Sequence, residues 1–349
     1  MLCIFSIMHA LVDGICAATM LGQLAPLFPA DIAVLVLLYN LLAFSTQGLT
    51  GLLVDKVGRH RALTVLSAAL VVSGLLFPAS LGWHALFKTA LVGLGNSLFH
   101  VAAGAKVIKN APKKAWPLGV FVGPGALGLT LGTLFPWLGG WFAIALSAAC
   151  VALCLLKAPE PEPSAAEPVI RFAEKEDMLK RVLLSAALLF CVFSRAFGGR
   201  AVSFPWKNGA LLTIVLTLSV VAGKMLGGVL CDRLGAFKLS AVSVPAAALL
   251  MLFCSQWMLP SLLGQFLLNL SMPVTLWLLC VLIPDSPGFA FGLAASCLYP
   301  GSLFARSIPD SGVVKTAIII AVFALNTVLV LLPAAYIAKK RSQTPDAAK

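Results

Sequence analysis

The sequence predicts an all-α polytopic membrane protein with twelve transmembrane helices in two pseudo-symmetric six-helix bundles. The 349 residues are 60% hydrophobic and only 11% charged, whereas soluble domains carry about 25% charged residues. Apolar runs long enough to cross a bilayer, roughly 20 residues each, follow one another with little polar sequence between them. A short polar motif also recurs at equivalent places in the two halves of the chain.

The apolar runs favour helices over a membrane β-barrel. They are continuous in Leu, Ala, Val and Gly, whereas barrel strands would alternate over roughly 10 residues. We predict spans at 2–26, 31–53, 61–79, 83–107, 116–135, 137–156, 182–203, 208–231, 237–255, 259–283, 288–307 and 314–338. Eleven spans is the alternative, because the chain opens almost directly into the first. We expect no cleaved signal peptide, since no basic segment precedes that span.

A stretch rich in proline and acidic residues separates the two sets of six spans. It reads APEPEPSAAEPVIRFAEKEDMLK, a composition that suits a linker in water. The predicted organisation is an N-terminal bundle at 1–157, a cytoplasmic linker at 158–180, a C-terminal bundle at 181–341 and a cytoplasmic tail at 342–349.

Basic residues are distributed unequally across the predicted membrane. Of the 25 Lys and Arg, eighteen fall on one side, four on the other and three within spans. By the positive-inside rule, this asymmetry predicts a multi-pass protein of the cell (inner) membrane with both termini in the cytoplasm. It also accounts for the net charge of +12 without a nucleic-acid partner.

The sequence predicts no cofactor and no metal site. All nine cysteines lie in or beside apolar spans, and no pair has the spacing of metal ligands. No P-loop, haem or zinc motif is present, which disfavours transport driven by ATP. The expected partners are a small solute, protons and the lipid bilayer, and we expect a monomer.

A G-x-x-x-D-[KR]-x-G motif follows the second span and again the eighth. The first copy contains Gly51, Asp55, Lys56, Gly58 and Arg59, and the second contains Gly228, Asp232, Arg233 and Gly235. A carboxylate at a helix end, with cations in a tight glycine turn, can form a latch that breaks and re-forms. An ordinary basic loop is the alternative.

With this duplicated loop the sequence resembles the major facilitator superfamily. The resemblance implies the major-facilitator fold, in which spans 1, 4, 7 and 10 line a central cavity. It also implies that Asp55 and Arg59 help to close the cytoplasmic side in the outward-facing state.

A narrower resemblance covers much of the first half. Ser6-Ile-Met-His9-Ala-Leu-Val-Asp13 and Gly93-Leu-Gly95-Asn96-Ser97-Leu-Phe99-His100 resemble the fosmidomycin-resistance-type branch of drug exporters. The sequence departs from that branch where Val101 follows His100, since proline is usual there, and no comparable match extends into the second half. The glycines around Pro124 are similar to the helix-5 motif of proton-driven drug antiporters, although close helix packing alone would also explain them.

Polar residues within the spans concentrate on spans 1, 4, 7 and 10. They are His9 and Asp13, Asn96 and His100, Arg195 and Arg200, and Gln265 and Asn269. Ionisable groups inside a bilayer are costly and are functional candidates by default. Because these pairs fall on the helices expected to line the cavity, we predict that they form the functional site.

Asp13, with His9, is predicted to couple transport to protons. Burial favours a neutral carboxyl group and a neighbouring guanidinium favours an ionised one, so a change of environment can load and release a proton. A permanent Asp13–Arg195 ion pair is the equal alternative.

Arg195 is the first candidate for substrate contact, because a guanidinium binds a carboxylate, phosphate or phosphonate with two bonds. Further substrate-binding candidates are Arg200, His100, Asn96, Asn269 and Gln265. Lys224 is expected to reach water at the helix end or to pack in the latch. The surplus of positive charge in the membrane predicts an anionic or zwitterionic solute.

These residues predict a secondary active transporter that works by alternating access, with proton-coupled export. The alternatives are an uptake facilitator for an organic anion and a receptor-like membrane protein that does not transport. An enzyme is not expected, because no spacing suggests a nucleophile with a base.

Overall fold

The computed structural model describes residues 1–156, 178–309 and 312–342. Within these residues all regular secondary structure is helical, and the chain forms twelve helical segments. They are α1 Leu2–Leu27, α2 Ile32–Ser45 with Gln47–Val57, α3 His60–Leu76, α4 Gly82–Asn110, α5 Trp116–Leu134, α6 Pro136–Leu155, α7 Met178–Ala201, α8 Gly209–Leu234, α9 Ala236–Phe253, α10 Met258–Leu282, α11 Pro287–Ser307 and α12 Gly312–Ser342. The predicted fold class is confirmed.

Helix length and hydropathy agree with a membrane protein. Ten of the described helices are long and apolar enough to cross a membrane, and α2 makes an eleventh if its two parts count as one bent span. The remaining helix, α3, is shorter at 17 residues. Each helix overlaps one predicted span, because continuous apolar sequence leaves few other structures possible in a bilayer.

The predicted linker, 158–180, falls mostly outside the described residues. Only its last three residues are described, and they belong to α7, which is described from Met178. The helix includes them because Met178 and Leu179 continue its apolar sequence. Of the predicted tail, only Ser342 is described, at the end of α12.

Large apolar side chains cover the outside of the molecule. Leu49, Leu155 and Leu211 are between 72% and 74% exposed, far more than a water-soluble surface would tolerate in such number. Polar side chains such as Gln47 and Asn96 are fully buried instead. This inverted arrangement suits a protein whose surrounding solvent is lipid.

The helices pack as two groups that meet along a few of their members. In the first half α1 packs on α5 and α6, and α4 on α2 and α3; in the second, α10 packs on α8 and α9, and α7 on α11 and α12. The halves meet mainly where α5 packs on α8 and where α2 and α4 pack on α11. The division into two bundles stays a prediction, although these contacts follow the same boundary.

Glycines let α5 approach helices on two sides. A Cβ atom at Gly128 or Gly132 would collide with the backbone of α1 at Ala10 or Gly14, and one at Gly119 would collide with the Lys224 carbonyl of α8. Glycine at these positions therefore permits close contact. The glycine run links α1 of the first half, through α5, to α8 of the second.

Helix α2 is bent by 41° between its two parts. Just before the bend, Leu41–Ser45 forms a wider π-helical turn, a feature that often accompanies a helix kink. The hydroxyls of Thr46 and Thr50 each lie 3.1 Å from the Ser97 hydroxyl of α4. Tyr39, Asn40 and Phe44 of the part before the bend line a cavity between the halves.

Candidate functional site in a cavity between the two halves

A cavity of about 400 Å³ lies between the two groups of helices. Helices α1, α2, α4 and α5 line it from the first half, and α7, α8, α10 and α11 line it from the second. Its ionisable side chains include His9, Asp13 and His100 on one wall and Arg195 and Lys224 on the other. Acid and imidazole groups therefore face two cations across the same space.

Asp13 is the centre of a polar cluster in the first half. Its Oδ2 lies 3.3 Å from His9 Nε2, and its Oδ1 lies 3.6 Å from His100 Nε2. Asn96 donates from Nδ2 to Asp13 Oδ1 at 3.1 Å. Because His9 lies one turn before Asp13 on α1, and His100 one turn after Asn96 on α4, two helices suffice to surround the carboxylate.

Backbone carbonyl groups orient both imidazole rings of this cluster. His9 Nδ1 is 2.8 Å from the Phe121 carbonyl oxygen of α5. His100 Nδ1 is 2.9 Å from the Asn96 carbonyl oxygen on its own helix. The rings meet edge to face, with centroids 4.4 Å apart. Each ring is thus held with its Nε2 towards Asp13.

Arg195 belongs to the opposite wall and does not pair with Asp13 in this conformation. Its Nη1 donates to Thr275 Oγ1 of α10 at 3.3 Å, which uses one of the five N–H donors of the guanidinium. The side chain is only 8% exposed yet lines the cavity. Asp13 is bound by His9, His100 and Asn96 instead, so each charge is held within its own half.

Lys224 corrects one expectation from the sequence. We expected this lysine to reach water at the helix end or to pack in the latch, but its side chain lines the central cavity. The reason is the position of α8, which packs against α5 and α10 and so presents this face to the space between the halves. Within the described residues its ammonium forms no hydrogen bond, so it is available to an anion.

Four predicted substrate-binding residues lie outside the cavity lining, and one of them, Asn96, donates to Asp13 from behind it. Arg200 is exposed near the end of α7. Gln265 and Asn269 are buried on α10, and Asn269 donates from Nδ2 to the Gln265 carbonyl oxygen at 2.8 Å. The backbone before Asn269 packs against Gly223 of α8. Helix α8 therefore covers this part of α10, whereas Met272 and Leu276, one and two turns further along the helix, line the cavity.

Sequence reasoning missed several polar residues of the lining. Tyr39 and Tyr299 both line the cavity, from α2 and α11, and Ser302 lies one turn beyond Tyr299. Asn96 Nδ2 is also 3.2 Å from the Tyr39 hydroxyl, which joins α2 to the Asp13 cluster. The chain has only three tyrosines, and that scarcity was the signal available for finding them.

The two copies of the duplicated motif join the two halves of the molecule through hydrogen bonds. Asp55, at the end of α2, accepts hydrogen bonds from the backbone N–H groups of Gly288 at 2.9 Å and Phe289 at 2.8 Å. Asp232, at the end of α8, accepts from those of Ala115 at 2.8 Å and Trp116 at 3.1 Å. Each carboxylate therefore caps the first turn of a helix in the other half, α11 or α5, where the helix dipole favours negative charge.

The motif glycines make this closure possible. Gly51 lies against the backbone of Gly288, and Gly228 against that of Ala115 and Trp116. Gly58 ends α2 with a φ of 70°, the left-handed conformation that glycine adopts without strain.

The basic residues of the motif have a different position from the one the resemblance implied. Lys56, Arg59 and Arg233 are exposed. In the described part of the chain, backbone amides rather than these cations bind the two carboxylates, because the opposing helix ends bring N–H donors closer.

The Asp13 cluster has the composition of a possible metal site as well. One ligand atom each from His9, Asp13 and His100 lies within 4.8 Å of the others. The cavity also holds Arg195 and Lys224, however, and two nearby cations oppose the entry of a divalent ion. The charge of the cavity is better suited to protons and an anion.

An all-helical membrane fold with a charged cavity between two helix groups defines the class of a transporter rather than an enzyme. The sequence profile of the Major Facilitator Superfamily matches residues 2–306. The chain therefore belongs to this family. Its membership and its fold support a role in secondary transport.

Similar solved structures agree with this fold. A single-residue variant of the E. coli fucose:proton symporter FucP has 12% sequence identity and a TM-score of 0.64, over 99% of this chain and 98% of that one. A second structure, FucP in the outward conformation, has the same identity and coverage and a TM-score of 0.65. None of the curated proteins matches the sequence.

Proposed function

We propose that this chain is a proton-coupled secondary transporter of the cell (inner) membrane that exports a small anionic or zwitterionic solute by alternating access. The observation that carries the proposal is the cavity with opposed walls, where Asp13 and its imidazoles face Arg195 and Lys224. The first wall offers groups that bind and release protons, and the second offers groups that bind an anion. Proton and solute would thus share one space.

The charge balance of the cavity supports an anionic or zwitterionic solute. Asp13 is already accompanied by two imidazoles and an amide, so a lipophilic cation would find no free carboxylate. Arg195 uses one donor, and Lys224 forms no hydrogen bond within the described residues. A carboxylate, phosphate or phosphonate would supply the missing partners.

The closed end of the molecule supports an outward-facing state. Asp55 and Asp232 seal the end at which the α2–α3 and α8–α9 loops lie. We propose that this basic end faces the cytoplasm, as the positive-inside rule predicts. One of the similar structures is FucP in the outward conformation, which is consistent with this state.

Export is favoured by the likeness of the first half to the fosmidomycin-resistance-type branch, in the residues around His9, Asp13 and His100. Uptake of an organic anion is the second candidate. It is favoured by the two cations of the cavity, Arg195 and Lys224, which would bind an organic anion whether or not the Asp13 cluster carries protons.

Reconstitution in proteoliposomes tests the proposed function. A panel of carboxylate, phosphorylated and phosphonate metabolites is first screened for thermal stabilisation of the purified protein. The stabilising compound should then move when a pH gradient is imposed, and Asp13→Asn should abolish this coupling while the protein stays folded. Asp31→Asn, at the exposed start of α2, is the matched control and should transport normally.

The outcomes are separable. Transport that ignores the gradient would support the uptake facilitator and exclude proton coupling. The sign of the gradient that drives accumulation distinguishes export from uptake. Stabilisation by cations alone would contradict the anionic solute.

A further inference from the structure

Two carbonyl groups determine which nitrogen of each cluster imidazole carries a proton. A carbonyl oxygen can only accept a hydrogen bond. The contacts of His9 Nδ1 with Phe121 and of His100 Nδ1 with Asn96, at 2.8 and 2.9 Å, therefore require a proton on Nδ1 of both rings. In the neutral state, each ring presents the lone pair of Nε2 to Asp13.

That arrangement leaves an acceptor facing an acceptor at two places. His9 Nε2 meets Oδ2 of Asp13 at 3.3 Å, and His100 Nε2 meets Oδ1 at 3.6 Å. An imidazole lone pair and a carboxylate oxygen repel each other unless a proton lies between them. Because the two contacts involve different carboxylate oxygens, one proton satisfies only one of them.

The neighbouring residues of the cluster place no hydrogen-bond donor in either of the two contacts between an imidazole Nε2 and Asp13. Besides His100, α4 contributes the amide of Asn96, which already donates to Oδ1, and α2 contributes Tyr39, whose hydroxyl is 3.2 Å from that amide. Cys16 follows on α1, with Sγ 3.5 Å from the same amide. From α5 come the Phe121 carbonyl and Gly125, which has no side chain to place there.

Two nearby positive charges make protonation of the cluster less favourable. Arg195 of α7 and Lys224 of α8 face the cluster across the cavity. Their charge opposes further positive charge on the cluster. Asp13 is 17% exposed, so water in the cavity can deliver and remove protons.

We infer that His9, Asp13 and His100 form a two-proton carrier, with His100 as a third coupling residue, so that two protons move in each transport cycle. The inference rests on the proposed proton coupling. Loading places one proton in each Nε2–oxygen contact, and release restores the carboxylate and two neutral rings with protons on Nδ1. No covalent bond to a heavy atom changes.

Nitrogen NMR of the full chain labelled with ¹⁵N-histidine tests the inference with protons as the only ligand. The chain has four histidines, and His84 provides an internal contrast. Its Nδ1 accepts from the Leu81 backbone N–H at 3.2 Å, so its neutral ring should carry the proton on Nε2. His9 and His100, assigned through His9→Gln and His100→Gln, should carry it on Nδ1.

Titration of the same sample counts the protons. Both cluster rings should become protonated at Nε2 as the pH falls, in two coupled steps because each charged ring repels the other. In Asp13→Asn both protonations should require a lower pH, whereas His84→Gln should leave them unaltered. A ring that merely packs against Asp13 would keep its neutral Nε2 signal throughout.

The result that overturns the inference is a neutral cluster ring with its proton on Nε2, or a full titration in which only one of the two rings becomes protonated. The unmodified protein already decides the first point: fewer than two Nδ1–H rings among its histidines excludes the carrier even if a variant fails to fold. No solute is used, so failure here leaves the transport assay standing, and failure of that assay leaves these tautomers measurable.

Discussion

At the scale of single residues, the cavity separates its charges instead of pairing them. Asp13 is held by His9, His100 and Asn96, whereas Arg195 is held by Thr275. An ion pair between the halves would resist their separation, because breaking a buried pair costs several kcal/mol. Keeping each charge within its own half leaves the halves free to move, and leaves the cations open to a solute.

Arg195 and Lys224 should act together on an anion. Removing one charge-assisted hydrogen bond costs about 1.5–3 kcal/mol. Arg195→Gln and Lys224→Gln should therefore each weaken binding of a stabilising anion roughly 10- to 100-fold, measured as the shift of its thermal stabilisation curve. Arg200→Gln is the matched control, since Arg200 is exposed beyond the cavity lining. Equal losses in all three variants would contradict a specific anion site.

At the scale of helices, the glycines of α5 set the distance between the Asp13 cluster and its support. Gly128 allows α5 to approach the backbone of Ala10, one residue after His9. The Phe121 carbonyl of the same helix then reaches His9 Nδ1 at 2.8 Å. The packing of α5 on α1 therefore also determines which nitrogen of His9 carries the proton.

Gly128→Ala should destabilise the protein, because its Cβ atom would overlap the Ala10 carbonyl and force α1 from α5. Overpacking of this kind costs about 1–3 kcal/mol, so the unfolding temperature should fall and the His9 ring should lose its Nδ1–H tautomer. Gly140→Ala in α6 is the control, since nothing lies within 4 Å of its added Cβ. A similar decrease in both variants would contradict the packing argument.

Helices could be predicted from the sequence more fully than the site. Apolar runs located every helix, since a bilayer permits few other structures. The rarity of ionisable residues within spans, together with the family resemblance, also identified Asp13, His9, His100 and Arg195, which do line the cavity. The sequence could not say which turns of α10 border the cavity or that Lys224 of α8 does. Gln265 and Asn269 were chosen, but α8 packs against that part of α10, and only tertiary packing decides where the cavity lies along a helix. Their roles in transport stay predictions.

At the scale of the whole molecule, two equivalent contacts close one end. Asp55→Asn and Asp232→Asn would each replace one acceptor oxygen with an NH2 donor that faces a backbone N–H group, at a cost of about 1.5–3 kcal/mol for the lost charge-assisted bond. Each variant should populate a state with this end open, and the double variant more so. Distances between spin labels on the two halves at this end would report it.

Asp285→Asn is the control for this prediction, since Asp285 is an exposed carboxylate in the loop just before α11. Distances that stay unchanged in Asp55→Asn and in Asp232→Asn would contradict the latch. An equal change in all three variants would point to general loss of surface charge.

The partners of Asp55 and Asp232 are main-chain amides, so the contact can be kept in related proteins while the side chains around it change. Any residue except proline supplies an N–H, so the side chains at Ala115, Trp116 and Phe289 can be exchanged without losing the bond. Proline already stands beside both pairs of donors, at Pro117 and Pro287, where no N–H is used. Complementary charges or covarying side chains would therefore not reveal this contact in a set of sequences. Its trace would be the exclusion of proline from Ala115, Trp116 and Phe289, and the retention of glycine at Gly288, where a Cβ atom would crowd Gly51 and Asp55.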